Sequence, residues 1–128
     1  MNELGLKALG IGGADTSTIE ASEGVSYADG KFVVDTSVLT ETKPYAWIKV
    51  LRNDIKDADV DMWHWGLFAD ATSDEDIWDG RFYGATLEQC GNSIGLDSTD
   101  LVDGRVLKMW AVKDNEVTHS VSAELDVE

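Results

Sequence analysis

The sequence holds few of the residues that cross-link or ligate small proteins. Cys90 is the single cysteine among 128 residues, and proline also occurs once. One cysteine excludes an intrachain disulfide, so the usual signature of an oxidising compartment is missing. With His64 and His119 as the two histidines, a zinc site would need a widely scattered set of ligands. These residues also lack a local signature of a Cys–His nucleophile pair.

Basic side chains are scarce as well. Ten Lys and Arg stand against 25 Asp and Glu, which gives a formal net charge of −15. A field of this sign repels phosphate backbones and anionic lipid surfaces. We therefore expect neither a nucleic acid nor a membrane as a partner of this acidic protein.

A basic leader and a long apolar run are also absent. The first ten residues contain no long apolar segment and no convincing processing site. The sequence therefore predicts no signal peptide and no transmembrane segment. We expect synthesis and first folding in a cytoplasm, which is compatible with later release inside a virus particle.

Motifs of known enzyme classes are missing. The glycines of residues 10–13 follow no predicted strand, and they begin no phosphate-binding or dinucleotide-binding loop. Carboxylates are so abundant that a pair of them indicates nothing without geometry. The sequence predicts a protein that is not an enzyme, with no catalytic residue and no cofactor.

A calcium site stays open as an alternative. Residues 53–79 carry nine carboxylates and one lysine, and oxygen ligands at this density suit a hard cation. The segment from Asp57 to Asp61 imitates the start of an EF-hand loop. Met62 and Phe68 then replace the glycine and the bidentate glutamate that such a loop needs, so the EF-hand motif fails.

The C-terminal part shows the clearest periodicity. From Val117 to Val127 the odd positions are mainly apolar and the even positions are polar, which predicts a pleated strand with one core face. Residues 105–112 are also rich in β-forming side chains. Asp114 and Asn115 lie in the short polar segment between the two runs, so the sequence predicts an antiparallel hairpin.

Further β signals recur along the chain at nearly regular spacing. The predicted strands cover residues 31–35, 45–51, 62–69, 81–87, 94–96, 105–112 and 117–127, and Asp-Gly pairs at 29–30, 79–80 and 103–104 mark turns. About seven short strands with little helix pattern indicate an all-β fold, an antiparallel β-sandwich. We assign this β-sandwich domain to residues 31–128.

Residues 1–30 differ from the rest and hold six of the twelve glycines. We interpret them as an extended, glycine-rich N-terminal arm. A capping-box pattern at residues 17–20 predicts a short helix near residues 18–22. The apolar residues of the arm are candidate partner-binding residues: Leu4, Leu6, Leu9 and Ile11. The arm either docks on this domain, docks on a neighbouring subunit or remains a partly ordered tail.

The aromatic residues divide into two groups. Trp63 and Trp65 share one face of a nearly continuous apolar strand and are expected in the core. Trp47 and Trp110 fall on strand faces opposite the smaller aliphatic side chains, and Tyr45 shares the face of Trp47. Exposed rings usually mark an interface or a sugar-stacking platform, so Tyr45, Trp47 and Trp110 are candidate partner-binding residues. A second layer that covers these rings is the alternative.

The final third of the chain resembles the end of immunoglobulin-like and fibronectin type III-like sandwiches. The residues that carry the resemblance are Asp103-Gly104 as a corner, Leu107, Met109 and Ala111 as inward positions, residues 121–127 as the last strand, and Trp63 or Trp65 as the core tryptophan. The resemblance covers residues 31–128 and implies an Ig-like sandwich. The corner tyrosine and the inter-sheet cysteine pair of those families have no counterpart here.

These features predict a non-enzymatic structural protein of a larger assembly. We expect a virion component, such as a capsid decoration or accessory protein, that is homo-oligomeric or bound to capsid subunits. The alternative is a module that binds carbohydrate or a cell-surface partner through its exposed aromatic rings, with nearby carboxylates accepting hydroxyl hydrogen bonds. The sequence alone does not separate the two.

Overall fold

The computed structural model describes residues 19–51 and 55–128. This part of the chain is all-β, as predicted, and none of its helices is long and apolar enough to cross a membrane. Its strands are β1 (Ile19–Ala21), β2 (Val25–Ala28), β3 (Lys31–Val34), β4 (Ala46–Val50), β5 (Met62–Phe68), β6 (Asp76–Tyr83), β7 (Ser93–Leu96), β8 (Val106–Lys113) and β9 (Glu116–Val127). Two short 3-10 turns cover Thr36–Val38 and Asp57–Asp59.

The strands form two sheets. The small sheet has the order β1-β4-β7, and the large sheet has the order β2-β3-β9-β8-β5-β6. Neighbouring strands are antiparallel in every described pair except one, because β3 runs parallel to β9. The prediction of a purely antiparallel sandwich is wrong at that pair, where an early strand lies beside the last one.

Inward-facing residues of both sheets share one hydrophobic core. Side chains alternate along a strand, so every second residue of β4, β5, β8 and β9 points to this core. The fully buried residues include Ala46, Ile48 and Val50 of β4, Trp63, Trp65 and Leu67 of β5, Leu107, Met109 and Ala111 of β8, and Ala123 and Leu125 of β9. The predicted core positions of Trp63 and Trp65 and the predicted inner face of β4 are confirmed.

The predicted C-terminal hairpin is also confirmed. β8 and β9 pair antiparallel, and Asp114 and Asn115 connect them with φ angles of 52° and 66°. A two-residue turn with positive φ at both positions matches the twist of the flanking strands, and Asp and Asn tolerate that conformation better than most residues.

A β-bulge in β9 changes which side chains face the core. The register shifts between the pairs Ala111–His119 and Val112–Val117, so Thr118 is the extra residue. Residues on the two sides of a bulge no longer follow one alternation. Val117 therefore pairs with Val112 on the outer face of the large sheet and is 58% exposed. The prediction that Val117 shares a face with Val121 is wrong for this reason.

The strand predicted at residues 81–87 lies at Asp76–Tyr83 instead. Asp79-Gly80 was predicted to be a turn, yet it lies in the middle of β6 and pairs with Gly66 and Trp65 of β5. Residues 84–92 form turns instead of a strand, and Cys90 N–H donates to the Thr86 carbonyl oxygen at 2.8 Å. Pairing with β5 overrides the local turn signal.

Residues 19–28, which the sequence assigned to the N-terminal arm, are strands of the two sheets. β1 pairs with β4, with Ile19 opposite Val50 and Ala21 opposite Ile48, and β2 pairs with β3. The helix predicted near residues 18–22 is wrong within the described part, because this pairing makes residues 19–21 extended. The turn predicted at Asp29-Gly30 is confirmed by φ angles of 54° and 75°.

Candidate functional site

A groove of about 480 Å³ lies beside the edge of the small sheet, between the turn after β1, the 3-10 turn at Thr36–Val38 and the start of β4. Its lining residues are Ala21, Ser22, Glu23, Val38, Leu39, Thr42, Lys43, Pro44, Tyr45 and Trp47. Six of these ten are apolar or aromatic, and the other four supply hydroxyl, carboxylate and ammonium groups. The groove combines an apolar surface with a few polar groups, which is typical of binding sites.

Strand β4 directs the two rings of this groove outward. Ala46, Ile48 and Val50 fill the core, so the alternate residues Tyr45 and Trp47 project to the other side. Tyr45 is 58% exposed and Trp47 is 43% exposed. Of the two alternatives left open by the sequence, the exposed position is the one observed for Trp47, and both rings belong to a single site.

Small residues flank Trp47 on both sides. The Trp47 backbone N–H donates to Ser22 Oγ at 3.0 Å, and the Ser22 N–H donates to the Trp47 carbonyl oxygen at 3.0 Å. On the other side Trp47 is opposite Gly95, and the Tyr45 ring lies over the same glycine, 3.5–3.6 Å from where a Cβ would stand. Neither neighbouring strand places a bulky side chain against the indole.

The opposite wall of the groove is built by the turn after β3. Asp35 Oδ1 accepts hydrogen bonds from Ser37 N–H at 3.0 Å and from Ser37 Oγ at 2.7 Å, and these bonds lower the pKa of the Asp35 carboxyl. Val38 then packs against Gly24, where an added Cβ would lie only 2.6 Å from Val38 Cγ2. Gly24 also has a φ of +83°. Both the short distance to Val38 and this backbone conformation therefore require glycine at this position.

Trp110, the third aromatic candidate, belongs to a different surface. It lies on the outer face of the large sheet and is half-buried, with its ring centroid 4.9 Å from that of His64 and 6.4 Å from that of Phe68. Lys108 Nζ lies 4.5 Å from the centroid of Phe68, and His64 Nε2 is 2.9 Å from Asp79 Oδ2. The structure brings Tyr45 and Trp47 together and separates Trp110 from both. The candidates Leu4, Leu6, Leu9 and Ile11 lie outside the described residues.

The carboxylates proposed as calcium ligands bind separate partners. Asp57 Oδ1 accepts from Leu87 N–H at 2.8 Å, and Asp59 Oδ2 accepts from Lys56 N–H at 3.2 Å. Asp61 accepts from the Asp114 N–H at 3.0 Å and from Lys113 Nζ at 3.1 Å, and these two bonds lower the pKa of Asp61. No group of three or more His, Cys, Asp or Glu side chains suited to a metal occurs in the described ranges.

Cys90 is a buried structural thiol. Its Sγ donates to the carbonyl oxygens of Gly84 at 3.2 Å and of Val60 at 3.6 Å. Burial raises the pKa of the Cys90 thiol, so the thiolate form that a nucleophile requires is disfavoured. The two bonds hold the turn after β6 against the start of β5.

A second exposed apolar surface, which the sequence did not indicate, lies along β6. Ile77, Phe82 and Tyr83 are three of the seven large hydrophobic residues that are exposed within the described ranges. Two more of the seven are Tyr45 and Trp47 of the groove. The sequence signal for this surface is the apolar pairs on either side of Asp79-Gly80. The interpretation of Asp79-Gly80 as a turn kept these pairs from being assigned to one strand.

No family model, no curated protein and no solved structure matches the chain.

Proposed function

We propose that this chain is a non-enzymatic structural protein that docks on other protein subunits in a larger assembly, such as a virus particle. One observation carries the proposal: Tyr45 and Trp47 stand exposed on the same side of a groove in which six of the ten lining residues are apolar or aromatic. Exposed aromatic residues in a concave apolar surface are typical anchors of protein interfaces.

The composition of the groove favours a peptide segment over a sugar. Val38, Leu39 and Pro44 provide aliphatic surface that receives an apolar side chain, and the two rings close the same space. Covering about 100 Å² of each ring contributes roughly 2.5 kcal/mol at about 25 cal/mol per Å². Two such rings are enough to make the groove the centre of a binding surface.

The apolar positions Leu4, Leu6, Leu9 and Ile11 supply a matching segment in sequence terms. They lie among glycines in a stretch too short to bury them by itself, so they need a surface from elsewhere. We propose that the arm of a neighbouring copy or an equivalent segment of another subunit fills the groove. The partner in either case is protein.

Carbohydrate binding is the second candidate, and one observation favours it. Ser22 places no bulky side chain on one flank of Trp47, which is 43% exposed, so a pyranose ring has access to stack on the indole. Glu23 and Thr42 of the groove provide hydrogen-bond partners for hydroxyl groups.

The decisive experiment compares the double variant Tyr45→Ala/Trp47→Ala with Trp110→Ala. We expect the double variant to be lost from the complexes that the intact protein forms in its particle or extract, because its affinity falls by roughly 1,000-fold or more. Trp110→Ala removes an indole from the other sheet, and this variant should bind in these complexes with unchanged affinity. Complexes of unchanged mass in the double variant would refute the groove as the docking site.

A titration with simple saccharides, followed by tryptophan fluorescence, distinguishes the second candidate. Saturable quenching that disappears in the Trp47→Ala variant, together with unchanged complexes, would make the groove a sugar site. No response to saccharides and loss of the complexes is the result that our proposal expects.

A further inference from the structure

Strand β6 is the long unpaired edge of the large sheet. It has eight residues, whereas the other edge strands β1, β2 and β7 have three or four. Within residues 19–51 and 55–128, no strand pairs with its outer edge. A long exposed edge offers a row of free backbone donors and acceptors that another strand can pair with.

The backbone hydrogen bonds show which residues of β6 point outward. Gly84 N–H donates to the Asp61 carbonyl oxygen, so this position faces β5. Successive residues of a strand direct their N–H and C=O groups to opposite edges. Phe82, Gly80 and Trp78 therefore face β5, and the backbone groups of Asp79 and Arg81 face the unpaired edge.

The side chains of this edge are self-complementary about Gly80. When a second copy of β6 is placed antiparallel with Gly80 opposite Gly80, Asp79 stands opposite Arg81 of the second copy. The same register places Trp78 opposite Phe82, and the regular pairing ends there because Ile77 is the extra residue of a β-bulge. Opposite charges and aromatic pairs directly across two strands are both stabilising.

The neighbouring registers are unfavourable. A shift of two residues in one direction places Asp79 opposite Asp79, and the same shift in the other direction places Arg81 opposite Arg81. Like charges at directly opposed positions are destabilising. A shift of one residue is excluded because it matches an outward-pointing backbone position with one that faces β5. The register with Gly80 opposite Gly80 is therefore favoured over its neighbours.

We propose that two copies of this chain join through their β6 edges, antiparallel about a two-fold axis at Gly80. The dimer has one continuous sheet with six strands from each copy. The two Asp79–Arg81 pairs each exchange two backbone hydrogen bonds. Phe82, which is 36% exposed in the single chain, stands opposite Trp78 of the second copy.

The Asp79 carboxylate contacts His64 Nε2 at 2.9 Å through Oδ2, and its Oδ1 takes the contact with Arg81 of the second copy. Within one chain, Arg81 Nη2 lies 3.9 Å from Asp79 Oδ2, and their side chains are 58% and 38% exposed. The dimer replaces this loose contact with one across the two-fold axis. The interface uses no residue of the groove, so each proposal can fail without the other.

Charge substitution tests the register directly. In the Asp79→Arg variant, two guanidinium groups face each other at both of the paired positions. In the Arg81→Asp variant, two carboxylates face each other there, so each variant alone has two repulsive contacts. We expect each to weaken dimerisation roughly 100-fold or more, measured by sedimentation equilibrium. A mixture of the two variants restores both opposite-charge pairs and should regain the dimer mass.

Matched controls change the same charge at another exposed ion pair. Lys31 and Glu124 are 3.9 Å apart with side chains 51% and 49% exposed. Lys31→Asp and Glu124→Arg alter the net charge as the test variants do, and both should remain dimeric.

The outcomes are distinguishable. Dimers of unchanged affinity in both single β6 variants, or an intact chain that is monomeric up to about 1 mM, would overturn the β6 interface. A mixture that stays monomeric would overturn the register. None of these results tests the proposed function. That function is tested separately, by the complexes that depend on Tyr45 and Trp47 of the groove.

Discussion

Replacing Val121 by Asp tests the two faces of β9 most directly. Val121 is 3% exposed and pairs with Met109, which is fully buried. The next residue, Ser122, is exposed and pairs with Lys108 on the outer face. A carboxyl introduced at position 121 therefore enters the core, whereas a carboxyl introduced at position 122 faces the solvent.

The expected cost follows from these surroundings. Removing the two methyl groups of Val121 costs about 1.5–2.5 kcal/mol, as a Val121→Ala reference would show. The buried side chains of the described residues include no cation, so the Asp carboxyl must stay protonated or remain unpaired. Raising the pKa of a carboxyl by about three units costs roughly 4 kcal/mol. The total approaches the whole stability of a small domain, about 5–15 kcal/mol.

Urea unfolding followed by tryptophan fluorescence measures both variants. Val121→Asp should lose about 5 kcal/mol or fail to fold at neutral pH, and the loss should shrink as pH falls, because the protonated carboxyl is less costly to bury. Ser122→Asp should change stability by less than about 1 kcal/mol, since its carboxylate gains only an exposed pair with Lys108. Equal losses in the two variants would refute the assignment of the faces of β9.

Four further variants have defined outcomes. Gly91→Ala should destabilise by about 2–4 kcal/mol in urea unfolding, because Gly91 has a φ of +81° and an added Cβ would overlap Phe82. Gly104→Ala, with a φ of +87° and open space, should cost only about 1–2 kcal/mol, and equal losses would rule out the contact. Hydrogen bonds from the β8–β9 turn lower the pKa of Asp61, so its stabilisation is present above about pH 4 and lost as pH falls through the lowered pKa. Asp61→Asn should therefore weaken the fall of melting temperature with decreasing pH below about pH 4. The same fall in the variant and the intact chain would contradict this. Deletion of residues 1–14 should leave the melting temperature unchanged yet abolish assembly, and retained assembly would remove the role proposed for the arm.

The parts of the fold that rest on local rules were predictable. The β8–β9 hairpin follows from side-chain alternation and from two turn residues that accept positive φ, Asp114 and Asn115. The core face of β4 follows from alternation alone, since Ala46, Ile48 and Val50 share it. These signals lie within about ten residues of sequence and need no knowledge of the partner strand.

The wrong predictions concern positions whose structure depends on residues that are distant in sequence. Asp79-Gly80 has the local signature of a turn, but pairing with β5 and the contact of His64 with Asp79 make it part of a strand. The position of Val117 depends on a bulge at Thr118, which no periodicity reveals. Both features are set by the register between strands, which the sequence of a single strand does not specify.

The candidate site was half predictable for the same reason. Strand alternation placed Tyr45 and Trp47 on an outer face correctly. The opposite wall, with Val38 and Leu39, lies in a polar, Thr-rich segment that gave no apolar signal. Its position depends on the close approach of Val38 to Gly24, a contact between two separate turns.

The parallel pairing of β3 with β9 has a consequence for the order of folding. Lys31 pairs with Glu124, so this contact closes a loop of 93 residues (124 − 31), at an entropic cost of about 4 kcal/mol. β9 lies between β3 and β8 and is translated after all the other described strands. Until it is made, the large sheet exists as two separate pieces, β2–β3 and β8–β5–β6, each with an uncovered inner edge. The large sheet therefore stays incomplete until β9 has been made, and it closes at the slow rates that non-local β-pairing imposes.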